Sequence, residues 1–411
     1  MDLEGLVGWA RRALGHEVTD ARRLTVGNAR MTVRITTAET PPRNVILRHE
    51  TGGGPLSGTV FSLEREADVC RAVQGRGLPT PGVLAEDRTA AVLATECLSG
   101  DHDFRGEALD DYLRCLRALH DLNPASLDLP GFTSSIAGEL TVWRAILADK
   151  APGRSAVADH AFAELLRLRP AEPARTVLCH GDPGPGNYLR HGDKVTAMLD
   201  WEMAHLGDPM DDLAWITVRA ALYGLDLGDF GAQVARAYGV VGLGGRDVQR
   251  QRFWQAFGFL RMLVICLSAA AEPRSGKERL LQMTLIPALE YHVLEGLAQL
   301  EGQTLGDVLA SARLEPAAFP VDLLREAARD LNEVMLPKLA TDEALTAWTK
   351  RIRNLLTQIA AAPAPATRAA SGSREALAPE VVERLRWLPA AREQAERRPA
   401  SFLPAETVHA A

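Results

Sequence analysis

The chain has 411 residues, 46% of them hydrophobic and 24% charged, with a formal net charge of -7 at pH 7. That length is enough for two or three domains, and the composition is that of a soluble globular protein. The acidic balance and the lack of any long basic run exclude a dedicated nucleic-acid or anionic-membrane binder. Phosphate-bearing small molecules stay open, because they need only a local site.

The opening stretch MDLEGLVGWARRALG interleaves acids and arginines with apolar residues, which predicts an amphipathic helix rather than a signal peptide. Five β-rich runs follow, RRLTVG, ARMTVRITT, NVILRHE, GVLAED and AAVLATE, separated by Gly, Pro and Asp. One helical pattern interrupts them, FSLEREADVCRAVQGRG at 61–77, with Leu63, Ala67, Cys70 and Val73 or Gln74 on one face. A small five-stranded sheet carrying one long helix is expected. TGGGPLSG at 51–58 lacks the Gly-Lys-Ser/Thr ending of a P-loop and is expected to be a plain connection.

Beyond Gly100 apolar residues recur three and four apart in LDDYLRCLRALHDL, ELTVWRAILADK and HAFAELLRLRP, so a mostly helical region is predicted. Two apolar runs inside it, TVLCH at 176–180 and VTAMLD at 195–200, are expected to pair as a hairpin. Helices resume through FWQAFGFLRMLVICL and LIPALEYHVLEGLAQL. The apolar run MLVICLSAAA at 262–271 is too short to span a bilayer, and GLGG at 242–245 reads as a loop. From 319 two one-sided amphipathic helices are predicted, then a linker at 360–373 and a mobile tail with one short helix, PEVVERLRWL. The five cysteines (Cys70, Cys97, Cys115, Cys179, Cys266) form no CxxC pair and read as reduced core thiols. A cytoplasmic location is therefore expected.

The chemistry is concentrated in CHGDPGPGNYL, residues 179–189. Prolines and glycines fix an unusual backbone path at little cost in unfolded-state entropy, and such a loop can present Asp182 and Asn187 to one cavity. Asp200 ends the next apolar run, thirteen residues after Asn187. Phosphoryl transfer from ATP needs a carboxylate for the acceptor hydroxyl, an amide oxygen for Mg²⁺ and a second carboxylate for Mg²⁺. In protein kinases the catalytic Asp precedes the metal-binding Asn by five positions and a later Asp completes the site. Asp182, Asn187 and Asp200 have that order and that first spacing.

HGDPGPGN followed by MLDWEMAHLGDPMDDLAW resembles the signature of the aminoglycoside phosphotransferase and choline kinase-like family, over about residues 20–300. The resemblance implies an α+β, bilobal protein kinase-like fold with a small antiparallel β lobe and a mostly helical large lobe, plus extra C-terminal helices. The ranges expected are 1–95 for the nucleotide-binding lobe, 96–305 for the catalytic lobe, 306–362 for additional helices and 363–411 for linker and tail. It further implies ATP and Mg²⁺ as cofactors, with Asp182 as catalytic base or hydroxyl-orienting residue and Asn187 and Asp200 as metal ligands. Gly27 and Asn28 fall at the turn of the phosphate-covering hairpin. Arg48 stands where a kinase has its phosphate-pairing lysine and keeps the charge with a bidentate grip. Glu66 is its expected partner, whereas Glu64 points to the opposite side of the helix. The backbone of Glu96, Cys97 and Leu98 is expected along the adenine edge.

His180 is expected to brace the loop, and Asp212 to cap a helix beginning at Leu213 and tie it to the loop. Asp208 is expected to be structural, and Glu202 is open to metal, substrate or solvent. A small-molecule hydroxyl is the expected acceptor, with no nucleic acid and no membrane. The acidic run DHDFRGEALDD (Asp101, Asp103, Glu107, Asp110, Asp111) suits a cationic aminoglycoside but reads better as a solvated loop. Arg48, IPALEYH and DLNPASLDLPGF look closer to kinase domains associated with acyl-CoA dehydrogenases, for which a hydroxyacyl compound or its CoA thioester is the acceptor to expect. The rival is an inactive nucleotide-binding scaffold whose C-terminal helices dock a protein partner; Ala29 and Arg30 in the phosphate loop favour it, the intact Asp182, Asn187 and Asp200 oppose it.

Overall fold

The computed structural model describes residues 1–24, 30–101, 106–129, 131–132, 134–173, 175–184, 186–242, 247–271, 276–307, 329, 332–333, 350, 373–387 and 389–400. Chain contacts gather into two compact units. The first holds Met1–Thr141, Arg169–Gln255 and Pro399–Ala411, and the second Val142–Leu168 and Ala256–Arg398. These units cut the chain at different places from the four expected ranges, and residues 308–328 and 351–372 lie outside the described residues.

The first unit starts with α1 (Leu3–Leu14), whose N-cap Asp2 accepts from Gly5 N at 2.9 Å. Strands β1 (Val18–Arg23), β2 (Arg30–Thr37), β3 (Asn44–Glu50), β4 (Val83–Asp87) and β5 (Val92–Glu96) form one antiparallel sheet in the order β1-β2-β3-β5-β4. Alternate residues Met31, Val33, Ile35, Val45, Leu47, Val92 and Ala94 bury one face of this sheet against Leu6, Trp9 and Ala10 of α1. Each such aliphatic side chain contributes about 1.5–3 kcal/mol on burial, so a one-residue slip that put arginines there is strongly disfavoured and the register is fixed. The intervening residues Arg30, Arg48, Glu50 and Leu93 therefore share the other face, on which Leu93 meets Leu63 and Ala67 of α2 (Leu63–Val73). Ser62 caps α2 by accepting from Arg65 N at 3.2 Å. Glu66 lies on the buried side of α2, while Glu64 lies on its outer side and pairs with Arg88, as the helical period requires.

The rest of the first unit is helical apart from two small ladders. Helices α3 (Gly106–His120) and α6 (Pro209–Tyr223) pack on the ladders formed by β6 (Val177–Cys179), β7 (Tyr188–His191), β8 (Lys194–Met198) and β9 (His205–Gly207), and α7 (Phe230–Gly242) packs on α3. The expected pairing of 176–180 with 195–200 is corrected here. β6 pairs with β9, and the hairpin is β7 with β8. The turn at Gly192–Asp193 makes β7 and β8 immediate neighbours, which leaves β6 to take the later strand as partner.

Helix α4 (Ile136–Lys150) and helix α8 (Val248–Ala271) each have residues in both units. The second unit holds α5 (Ala156–Leu168), α9 (Gly276–Leu300), α10 (Arg374–Trp387) and α11 (Pro389–Glu396). Its buried polar links are Ser155 Oγ to Glu290 Oε1 at 2.7 Å and the His292 ring to Gln394 O at 3.0 Å. Ala288, Leu385 and Ala395 form an apolar cluster there, with Tyr291 against it. Helix α8 is longer than the apolar run read from the sequence, and by length and composition it is the one described helix able to cross a membrane. In this structure 83% of that stretch is buried within the protein, as in a core helix.

Candidate active site

The loop after β6 is built by α6. Asp212, wholly buried, accepts from His180 N at 2.8 Å and Gly181 N at 2.9 Å, and its Oδ2 also meets His120 Nε2 at 2.9 Å. His120 Nδ1 lies 3.1 Å from Tyr238 Oη. Burial raises the Asp212 carboxyl, but the hydrogen bond and charge of His120 and the Gly181 amide outweigh it and hold the group below the usual carboxylate range. Gly181 (φ 83°) presses on the backbone of Met203 so closely that a Cβ would lie 2.0 Å from Met203 O. No other residue type fits. His180 is fully buried, stacked 4.4 Å from Trp201, and burial pushes its imidazole down despite the surrounding carboxylates. The expected bracing through ring hydrogen bonds is not what the geometry shows: both ring nitrogens are buried without a hydrogen-bond partner, and the imidazole is held by packing on Trp201.

The expected cap is corrected. Helix α6 begins at Pro209, and Asp208 caps it by accepting from Met210 N at 3.0 Å; Asp208 also takes Trp254 Nε1 at 2.8 Å and pairs with Arg250. Asp212 lies inside the helix and performs the tie to the loop. Three positions on, Trp215 gives its indole N–H to Asp182 Oδ1 at 2.6 Å, and Arg219 Nη1 reaches the same oxygen at 2.9 Å. Asp212, Trp215 and Arg219 are spaced three and four apart and so share a face of α6. That spacing in DDLAWITVR was the available signal for Trp215 and Arg219, which the sequence reading did not single out.

Asn187 gives its amide N–H groups to Asp182 O at 2.8 Å and Asp182 Oδ2 at 2.6 Å, which leaves its side-chain oxygen as the remaining coordinating atom. Its backbone carbonyl accepts from Leu199 N at 2.8 Å, linking the loop to the residue before Asp200. Asp200 has a left-handed backbone (φ 66°, ψ 62°), uncommon for a non-glycine residue and frequent at functional sites. Its Oδ1 accepts from Arg48 Nη2 at 2.9 Å, and Arg48 also pairs with Glu66 as expected. Burial opposes the Arg48 charge, but Glu66 and Asp200 more than offset it, so the guanidinium stays protonated. Burial likewise raises Asp200, and Arg48 and Arg30 pull it below its ordinary range. Glu202 is in contact with Arg30, whose Nη2 also reaches Glu50 Oε1 at 3.1 Å.

Asp182, Asn187, Asp200, Arg48 and Glu66 are thus joined through direct contacts and the Asn187–Leu199 link. Gly27 and Asn28 lie outside the described residues. Glu96 gives its backbone N–H to Gly82 O at 2.9 Å, and its carboxylate accepts from Arg43 Nη2 at 3.0 Å and Gly82 N at 3.1 Å; Cys97 and Leu98, both half-buried, follow directly after β5.

An amide oxygen and a carboxylate are hard donors of the kind Mg²⁺ takes, and Asn187 and Asp200 supply them. One other cluster among the described residues has ligand-type side chains close together, His120, Cys179 and Asp212. The Asp212 oxygens there are occupied by three N–H donors, and burial pushes the Cys179 thiol well above its ordinary range, so it remains a neutral thiol. That cluster is a brace.

The model of the Phosphotransferase enzyme family matches residues 20–254. Acyl-CoA dehydrogenase family member 10 of Mus musculus is 29% identical over 198 residues, covering 42% of this chain and 18% of its own length. Acyl-CoA dehydrogenase family member 11 of Gallus gallus is 27% identical over 185 residues, covering 40% of this chain and 24% of its own. The match therefore spans less than a quarter of these relatives. Among solved structures, ethanolamine kinase of Plasmodium vivax aligns with a TM-score of 0.51 at 14% identity, over 66% of this chain and 81% of that one. The α+β kinase-like architecture, with a small antiparallel sheet lobe and additional C-terminal helices, is the observed fold.

Proposed function

Because this chain belongs to the Phosphotransferase enzyme family, we propose that it transfers the γ-phosphoryl group of Mg·ATP to a hydroxyl of a small molecule, with Asp182, Asn187 and Asp200 as its reactive set. The observation that carries this is the seating of Asp182. Both of its oxygens are held, Oδ1 by Trp215 and Arg219 and Oδ2 by Asn187, so the carboxylate is fixed before any acceptor arrives. Phosphoryl transfer asks the protein mainly for positioning and electrostatic stabilisation, and a pre-aimed carboxylate supplies the first.

In this mechanism Asp182 orients the acceptor hydroxyl and takes its proton as the acceptor oxygen bonds to the γ-phosphorus and the bond from that phosphorus to the β,γ-bridging oxygen breaks, with ADP as the leaving group. Asn187, through its side-chain oxygen, and Asp200 would hold Mg²⁺, which when bound would offset the negative charge on the phosphate oxygens. Arg48, steadied by Glu66, grips the phosphates; the backbone of Glu96, Cys97 and Leu98 lines the base.

For the acceptor we favour a hydroxylated acyl compound, free or as its CoA thioester, over a cationic amino sugar. The names of the curated relatives support this, and so does the fate of the acidic run. Asp111 is committed to Lys194, Arg114 and Val195 N, and Asp110 to Arg236. Asp103 and the Glu107 side chain lie outside the described residues, and Asp101 is exposed and joined through its backbone to Arg190. Incubation of the enzyme and Mg·ATP with hydroxyacyl-CoA compounds, hydroxy acids, simple alcohols and aminoglycosides in one mixture tests it. A mass gain of one phosphoryl group on a hydroxyacyl compound is expected. Gain only on an aminoglycoside would replace that acceptor, and no gain with ATP still bound would favour a nucleotide-binding scaffold.

A further inference from the structure

We propose that Arg30 is a second cation of the triphosphate site, acting beside Arg48. The proposal rests on the kinase reading above and extends it to a residue that the kinase pattern does not contain. Arg30 is the first residue of β2, and its side chain is only 12% exposed. Register pairs Arg30 with Glu50 and Thr32 with Arg48 on neighbouring antiparallel strands, so the two arginines stand two residues apart on the same sheet face. Both guanidinium groups converge on Asp200 Oδ1, Arg48 Nη2 at 2.9 Å and Arg30 Nη1 at 3.7 Å. The same Arg30 nitrogen touches Glu202 and lies 3.9 Å from Glu66 Oε2.

Two arginines therefore face four carboxylates, Glu50, Glu66, Asp200 and Glu202, and although burial pushes Glu66 up, the acidic groups outnumber the arginines where Asp200 would take a divalent cation. A carboxylate shared with such a cation attracts the arginines less, and their donors then turn to the nearest other anion, which for a nucleotide bound at Asp200 is its phosphate chain. A guanidinium is suited to this, since its planar fork binds two phosphate oxygens at once. Arg30 also has structural partners in Glu50, Glu202 and Phe61 O, so it is separated from a purely structural residue by how its loss affects nucleotides of different phosphate number.

The test is binding rather than turnover. Calorimetric titrations of the full chain with ATP, ADP and AMP, each with Mg²⁺, are compared for the wild type, Arg30→Gln, Arg30→Lys and Glu202→Gln. Loss of one charge-assisted phosphate contact is expected to weaken ATP by roughly 10-fold to 100-fold in Arg30→Gln, ADP less, and AMP not at all. Arg30→Lys should recover part of the loss. Glu202→Gln, by releasing Arg30 from a competing carboxylate, should tighten ATP; this result does not depend on Arg30→Gln folding. ATP affinity unchanged or increased in Arg30→Gln, or equal weakening of all three nucleotides, overturns the proposal while leaving the kinase reading intact. A wild-type protein that binds no ATP overturns both.

Discussion

Asp182 is held by donors from two elements, Asn187 in its own loop and Trp215 and Arg219 of α6, and replacement of its carboxylate should leave this scaffold standing. Asp182→Asn is expected to lower turnover by roughly 10²- to 10⁴-fold with Mg·ATP affinity unchanged, the scale of losing a positioned base. Affinity lost in step with turnover would show that the residue serves nucleotide binding instead. For Asp200→Ala the reverse split is expected. Mg²⁺-dependent ATP binding disappears, and calorimetry that finds it intact would remove Asp200 from the metal. Gly181 carries a structural constraint of its own. Gly181→Ala forces a Cβ into Met203 O at a left-handed backbone, a cost expected at roughly 3 kcal/mol or more in urea unfolding. A loss below about 1 kcal/mol would mean that the loop relaxes readily.

At the scale of elements, much of the small lobe was legible in the sequence because alternation in RMTVRITT and NVILRHE can bury only one face. The same pattern put Arg48 on the face of α2 and let the helical period choose Glu66 over Glu64. The β6 partner was not legible. A three-residue strand has too few side chains to specify register, and the local turn between β7 and β8 took the partner that chain order suggested. The cap of α6 was misread for a related reason: DPMDD offers three aspartates, and only the tertiary contact of Asp212 with the His180 and Gly181 amides separates cap from tie. Arg30 was legible only as a departure in the phosphate loop favouring a scaffold, because its contacts with Glu202 and Asp200 join residues far apart in sequence.

Helices α9 and α11 of the second unit carry a pH-dependent joint. His292 of α9 is stacked 4.3 Å from Phe259, bonded to Gln394 O of α11, and lowered by burial to about 4. Its contribution to stability is whole above the unfolded value near 6.5. It is lost as pH falls from there through 4, because the unfolded chain takes a proton that the folded ring refuses. The loss reaches about 3 kcal/mol. The fall in urea midpoint between pH 7 and pH 4.5 should be smaller in His292→Gln than in the wild type. Equal falls would place the acid sensitivity elsewhere.

On the scale of the whole molecule, the family match covers 20–254, and Asp182, Asn187 and Asp200 of the candidate site lie inside that range. The helices from α9 onward lie beyond it, and what they dock is outside what the candidate site explains. The central claim is that the loop between β6 and β7 performs phosphoryl transfer. Its most direct test is the rate of γ-phosphoryl transfer from Mg·ATP to the best acceptor of the mixture, followed by mass spectrometry in wild type and Asp182→Asn. The account predicts stoichiometric ADP and phosphorylated acceptor with the wild type and a rate at least about 100-fold lower in the variant. Equal rates in the two proteins would contradict it.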